Sequence, residues 1–281
     1  EQREYKVFTA INLFIREGTI HMNQLEVLRE SLGQCDEIVL DALLMRNRIV
    51  EDIMVYKEAN DIPILQPEQE AKQREWLNRR MEGRRHKDEV SDVFECIRTN
   101  SKRIQARKLF NYNIVLIGFM GAGKSTISDF LKNVFAMDVV EMDQIIAQRQ
   151  GMSISDIFET YGEQYFRDLE TNLLIEMQSR SNVVISCGGG TPMRECNVVE
   201  MKKNGRVVLL TAKPETILDR VKNNHDRPLI ENNKTVPFIA GLMEKRRAKY
   251  EAAADIIIET DGKNELEICE ELVHRLRTMD E

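Results

Sequence analysis

From residue 23 to residue 59 the apolar positions recur at steps of three and four: Leu25, Leu28, Leu32, Cys35, Val39, Ala42, Leu43, Ile49, Ile53 and Tyr56. That period places them on one face of a single long amphipathic helix. The stretch has one glycine, Gly33, and no proline. Pro63 and Pro67 then break the pattern, since neither can sit inside a helix. A second helix is predicted from Glu68 to about Met81, ended by Gly83. A third runs from about Asp88 to Leu109, with Val90, Val93, Phe94, Ile97, Ile104 and Leu109 on one face. From Tyr112 the period changes. Short apolar, β-branched runs at Asn113–Ile117, Asp138–Glu141, Asn182–Ser186, Arg206–Leu210 and Asp255–Glu259 alternate with helical patterns. Such alternation predicts a five-stranded parallel sheet covered on both faces. The chain is therefore expected to be multidomain: an N-terminal all-α three-helix domain over 22–110 and a C-terminal α/β domain over 111–281.

A first helix of this length spans about 50 Å, wider than so small a domain. Its apolar stripe is expected to be buried against a second copy, giving a homodimer through the helical domain. Residues 103–112 hold no proline or glycine, so the third helix should run almost directly into the first strand. Residues 1–21 carry an apolar patch at 7–15 and read as a leader or upstream segment, with Met22 a natural start for the long helix.

Composition narrows the classes. Apolar residues make up 42% and charged residues 31% of the 281 positions, ordinary for a globular protein. The net charge of −7 gives no general electrostatic support for nucleic acid or membrane partners. The basic cluster of Arg79, Arg80, Arg84, Arg85 and Lys87 is short and reads as a solvated helix end and loop. Five cysteines, none in a C-x-x-C pair, argue against a disulfide framework or zinc site and for a reducing cytosol. No run approaches the roughly 20 apolar residues of a membrane span.

The chemistry centres on Gly118-Phe119-Met120-Gly121-Ala122-Gly123-Lys124-Ser125-Thr126. It follows a strand and opens a helix, the setting a phosphate-binding loop requires. Glycines let the backbone turn and aim its N–H groups at phosphate oxygens, and the helix N-terminus adds its positive end. Lys124 can reach the terminal phosphates, and Ser125 can ligate Mg²⁺. Other polar motifs fall at the carboxyl ends of the strands, where ligands bind in such sheets. Asp143 follows the second strand, and Gly188-Gly189-Gly190 follows the third. Arg167 and Glu170 lie on a helix after Gly162, Arg227 in a polar segment over 223–234 that reads as a lid, and Arg246 and Tyr250 on the next helix. Cys187, beside the glycines, reads as a small buried residue rather than a nucleophile.

Residues 23–108 resemble the small all-α chorismate mutases of the intertwined-dimer type. Leu25–Lys57, Pro63-Ile64 with Glu70, then Ser101 and Gln105 carry the resemblance. It implies that Arg29 reaches into the partner's site, that Arg46 and Lys57 act in their own subunit, and that Glu70, Ser101 and Gln105 contact chorismate. Lys57 and Gln105 would bear on its ether oxygen. Rearrangement to prephenate is unimolecular, so the site need only hold one conformer and stabilise developing charge. Gln69 stands where the family usually has arginine, so one cation is missing.

Residues 112–277 closely resemble shikimate kinase. The match rests on Gly118–Thr126, Gly151–Phe158, Gly162-Glu163 with Phe166-Arg167, Gly188–Gly190, Arg227-Pro228-Leu229 and Glu244-Lys245-Arg246. The resemblance implies ATP and Mg²⁺. Arg167 and Arg246 would clamp the shikimate carboxylate, with Glu170 orienting Arg167. Asp143 would position or deprotonate the attacking hydroxyl, the glycine run would touch substrate, Arg227 would meet the transferred phosphoryl group, and Arg220 would stack on adenine. Gly118, Gly121, Ala122, Gly123, Lys124, Ser125 and Thr126 would hold the phosphates. Glu141, where the family commonly has aspartate, would stand with Ser125 near the metal. The two resemblances together imply a bifunctional enzyme of aromatic biosynthesis. The alternatives are a kinase whose helical domain only senses a ligand or only dimerises, and a phosphate-loop kinase for another small polyol.

Overall fold

The computed structural model describes residues 24–60, 62–222 and 233–280. Arg227, most of the expected lid, Met22 and the expected leader lie outside those residues. The chain divides into two compact units, residues 1–53 and 54–281.

The described part of the first unit belongs to helix α1 (Gln24–Ala59), 36 residues and about 54 Å long. Leu25, Leu28, Leu32, Val39, Ile49 and Ile53 are exposed along one stripe of it, and Leu40, Leu44 and Met45 are exposed off that stripe. An apolar row this long on a single chain is an unsatisfied surface.

The second unit continues from Met54. Helix α2 (Pro67–Met81) starts with proline at its first position, where a missing N–H costs nothing. Helix α3 (Lys87–Leu109) follows. Trp76 of α2 meets Phe94 of α3 edge-on, with ring centroids 6.3 Å apart. Arg74 and Arg98 both reach the Glu95 carboxylate, at 3.1 and 2.6 Å.

Then comes the α/β part. Strands β1 (Asn113–Gly118), β2 (Asp138–Glu141), β3 (Val183–Ser186), β4 (Gly205–Thr211) and β5 (Ile256–Glu259) form one parallel sheet in the order β2-β3-β1-β4-β5. These are the five expected strands. The central strand β1 is buried at every residue, which an alternating strand could not be, so both faces are covered. Helix α4 (Lys124–Phe135) packs on β1, β2 and β3. Helices α5 (Met142–Gln150) and α6 (Ile154–Met177) lie between β2 and β3, and α7 (Glu195–Lys203) leads to β4. Helices α8 (Pro214–Val221) and α9 (Val236–Ala253) precede β5, and α10 (Glu265–Asp280) closes the fold against α4. A capping box between Ser153 and Asp156 starts α6, and Gly162 kinks it.

The third helix does not end in a linker. Leu109 and Phe110 are buried, and Phe110 stands edge-on to Phe135 at 5.7 Å. The Asn182 amide donates to the Ala106 and Phe110 carbonyls, both at 2.9 Å, and so satisfies acceptors at the end of α3. Lys102 of α3 donates to the Asn133 carbonyl at 3.0 Å and pairs with Glu70 at 2.9 Å. Among the described residues, no helix is long and apolar enough to cross a membrane.

Candidate active site

The phosphate loop joins β1 to α4. Gly118 ends the strand at φ +145°, and a β-carbon there would collide with the Leu210 carbonyl. Only glycine lets the loop turn off the sheet at this point. Gly123 precedes α4 without a side-chain cap, which leaves the N–H groups of the first helical turn for an anion. Lys124 folds over the loop and donates to the Gly118 and Phe119 carbonyls at 2.9 and 3.2 Å. Arg220 donates to Gly121 O at 3.1 Å and to Thr260 Oγ1 at 3.0 Å, fixing its guanidinium beside the loop. Glu141, at the end of β2, accepts from Ser125 at 3.3 Å and from Ser128 at 2.5 Å. An uncapped helix start, one lysine, one hydroxyl and one carboxylate fit a nucleotide phosphate chain with Mg²⁺. This metal binds through few protein groups and takes its remaining ligands from phosphate and water. Among the described residues, no cluster of three or more His, Cys, Asp or Glu could hold a metal by itself.

Beside the loop, three glycines form a floor on which the other predicted residues converge. A β-carbon on Gly188 would lie 2.7 Å from Asp143 Oδ1 and 3.1 Å from Glu170 Oε1. One on Gly190 would strike the Arg167 guanidinium, and one on Gly189 would come 3.3 Å from Arg246 Nη1. The Gly189 carbonyl accepts from Arg246 at 3.2 Å and from the Tyr250 hydroxyl at 2.6 Å. The same β-carbon would stand 3.8 Å from Gly118 O, so floor and phosphate loop adjoin.

The electrostatics are set by a buried acid and its half-buried arginine partner. Glu170 is completely buried, and burial raises its pKa against the opposing hydrogen bonds from Arg167 and Thr191. Burial works against the Arg167 cation too. Its hydrogen bonds to Glu170 at 2.8 Å and to Glu163 at 2.8 Å outweigh that, so the guanidinium pKa stays above its ordinary value. Burial pushes the Cys187 thiol well up, with Glu170 adding to the effect. A thiol held protonated is no nucleophile.

Sequence reasoning thus assembled Asp143, Arg167, Glu170, Gly188, Gly189, Gly190 and Arg246 at one floor, and Lys124, Ser125, Glu141 and Arg220 around one loop. It gave Thr191 and Ser128 no role, and it did not tie Thr260, in the loop expected to flank adenine, to Arg220, or Glu163 to Arg167. Only Glu163 had a signal, its four-residue spacing from Arg167. In the helical part, Arg29 is exposed and Arg46 half-buried on the first unit. On the second unit, Lys57 donates to Ile64 O at 2.9 Å, and its pKa is lowered by burial. Ser101 is buried on α3, where it donates to Ile97 O, and Gln105 lies one turn on. Glu70 is paired with Lys102, a partner the sequence did not suggest.

A parallel sheet with a phosphate loop at its central strand, opening onto a floor with two arginines and an aspartate, defines a phosphate-loop phosphotransferase for a small anionic alcohol. The comparisons agree. Residues 120–277 match the family model for shikimate kinase, and residues 28–106 match that for chorismate mutase type II. A shikimate kinase of Dehalococcoides mccartyi is 42% identical over 165 residues, covering 59% of this chain and 93% of the relative. One from Persephonella marina is 41% identical, covering 59% and 99%. The solved shikimate kinase from Acinetobacter baumannii in complex with shikimate superposes with a TM-score of 0.55 at 30% identity, covering 60% of this chain and 94% of that one. The chain belongs to the shikimate kinase family, and it carries a chorismate-mutase-type helical region in the same polypeptide.

Proposed function

We propose that this chain transfers a phosphoryl group from ATP to a ring hydroxyl of shikimate, and that its helical domain, as a homodimer, rearranges chorismate to prephenate. The reading rests above all on the convergence of Arg167, Arg246 and Asp143 on one glycine floor beside the phosphate loop. Two half-buried guanidinium groups suit a carboxylate. The Asp143 carboxylate can accept from ring hydroxyls, orient the attacking one and take its proton. Lys124, the loop N–H groups and Thr126 at the helix start would hold the phosphates, with Ser125 and Glu141 toward Mg²⁺ and Arg220 toward the base. When bound, ATP would supply the phosphoryl group and its Mg²⁺ would offset the negative charge of the phosphates. Arg227 is assigned to the transferred group by resemblance alone.

For the helical domain, the exposed apolar row on α1 supports burial against a second copy. Arg29 would then serve the partner's site, and Arg46, Lys57, Glu70, Ser101 and Gln105 their own. A second reading has one observation in its favour. Gln69, where the resembling mutases usually carry arginine, is exposed and uncharged, which suits a domain that binds ligand or dimerises without turnover. The domain division at residue 110 belongs to the same proposal.

One experiment addresses both halves: coupled ADP release with shikimate, and prephenate formation from chorismate, on the purified chain. ADP release that depends on shikimate is the expected result. Failure with shikimate and success with another polyol would overturn the kinase assignment. Prephenate formation favours the bifunctional reading. Its absence, with prephenate-dependent inhibition of the kinase, favours the sensor.

A further inference from the structure

Both oxygens of Glu141 are met by serines of α4. Ser125, exposed on the first turn, faces Oε2 at 3.3 Å. Ser128, one turn deeper and wholly buried, lies 2.5 Å from Oε1. The Ser128 hydroxyl also lies 2.9 Å from the Ser125 carbonyl. A hydroxyl has one proton to donate, and a carboxylate is a stronger acceptor than a peptide carbonyl. The donation to Glu141 therefore dominates.

A glutamate at the end of a strand has one more rotatable bond than an aspartate and more rotamers to lose. Glu141 is only half-buried, so without a clamp its carboxylate would sample orientations that point neither oxygen toward Ser125. We infer that Ser128 is a positioning residue of this phosphotransferase: it consumes Oε1 and so presents Oε2 beside the Ser125 hydroxyl, toward the divalent cation. The inference rests on the proposed roles of Ser125 and Glu141. It gives the longer acidic arm of this chain a fixed direction. A partner that orients a metal-facing carboxylate typically changes metal affinity ten- to a hundred-fold when removed.

The test uses the full chain with saturating ADP and Mn²⁺ titrated by electron paramagnetic resonance. Ser128→Ala is expected to weaken Mn²⁺ binding about ten-fold while ADP affinity in EDTA is unchanged. Ser128→Cys, similar in shape but a weak donor, should weaken it in the same direction and replaces the alanine variant if that chain fails to fold. Glu141→Asp withdraws the carboxylate from Ser128, so adding Ser128→Ala to it should cost nothing further. Unchanged Mn²⁺ affinity in folded Ser128 variants, or losses that simply add in the double variant, would overturn the inference and leave Ser128 as a tie between α4 and β2. If shikimate is not phosphorylated yet Mn²⁺ binding still depends on Ser128, the substrate assignment falls and this inference stands.

Discussion

Arg167 donates to Glu170 across 2.8 Å, and of the two only the arginine side chain reaches solvent. The carboxylate is held inside by Arg167 and by the Thr191 hydroxyl. Removing the arginine would strand a buried acid. Arg167→Ala is expected to lose ~3 kcal/mol of stability in urea unfolding and to abolish measurable shikimate binding. Glu170→Gln keeps the shape but weakens the hold on the guanidinium. It should raise KM for shikimate about ten-fold, ~1.4 kcal/mol, with KM for ATP unchanged in steady-state kinetics.

Lys124 lies on the phosphate loop, and the assigned mutase residues lie on α1, α2 and α3. Lys124→Ala should abolish shikimate-dependent ADP release. Prephenate formation by the same variant should match wild type. Comparable loss of both would show that the two sites are not independent.

If Arg29 serves the partner's site and Arg46 its own, Arg29→Ala and Arg46→Ala chains are each inactive as mutases. Mixed at equal concentration, refolded together, about half the dimers are hetero-dimers with one intact site. Recovery of about a quarter of wild-type prephenate formation is expected. No recovery argues against a shared site.

The strands were legible because a parallel sheet buries both faces, so β1, β3 and β4 stand out as apolar β-branched runs. The long first helix was legible from its period. The site was legible where one segment carries its own geometry, as in the loop at 118–126. What escaped are partners brought in from a distance. Thr191 meets Glu170 from the far side of β3, and Thr260 meets Arg220 from beyond β5. Lys102 reaches from α3 to both Glu70 and the end of α4. A threonine or lysine at such a position carries no local mark, because its role is set by the packing of other elements. Arg74 likewise meets Glu95 only because α2 lies against α3, whereas Arg98 sits three residues from Glu95 on the same helix.

That last cluster has a pH consequence. Hydrogen bonding from Arg98 first, then from Arg74, lowers the Glu95 pKa to about 2. The folded value lies below the ordinary carboxylate value of about 4.3. The stabilisation is therefore fully present above pH ~4.3 and is lost as pH falls toward 2. Glu95 is half exposed, so solvent screens part of it. Glu95→Gln should flatten the pH dependence of urea midpoints between about pH 4 and pH 2, with little change in that slope above pH 5.

Asn182 holds φ +61° and bridges two carbonyls at the end of α3. Asn182→Gly keeps the backbone easy and removes only the amide. Asn182→Ala also loses the tolerance of the left-handed region that asparagine has and alanine lacks. The expected cost is about 1–2 kcal/mol for glycine and about 1 kcal/mol more for alanine, read from chemical denaturation.

The end of α3 has a consequence for anyone dissecting the polypeptide. Phe110 fills an aromatic niche against Phe135, the last residue of the helix that begins with Lys124. A kinase severed at residue 110 would present that niche, and the unmet Asn182 amide, to water. A cut placed one or two helical turns earlier, leaving Ala106 and Leu109 attached, would carry its own plug. What the sequence reads as a border between two domains is, in packing terms, a splice in which the helical part supplies the cork of the kinase.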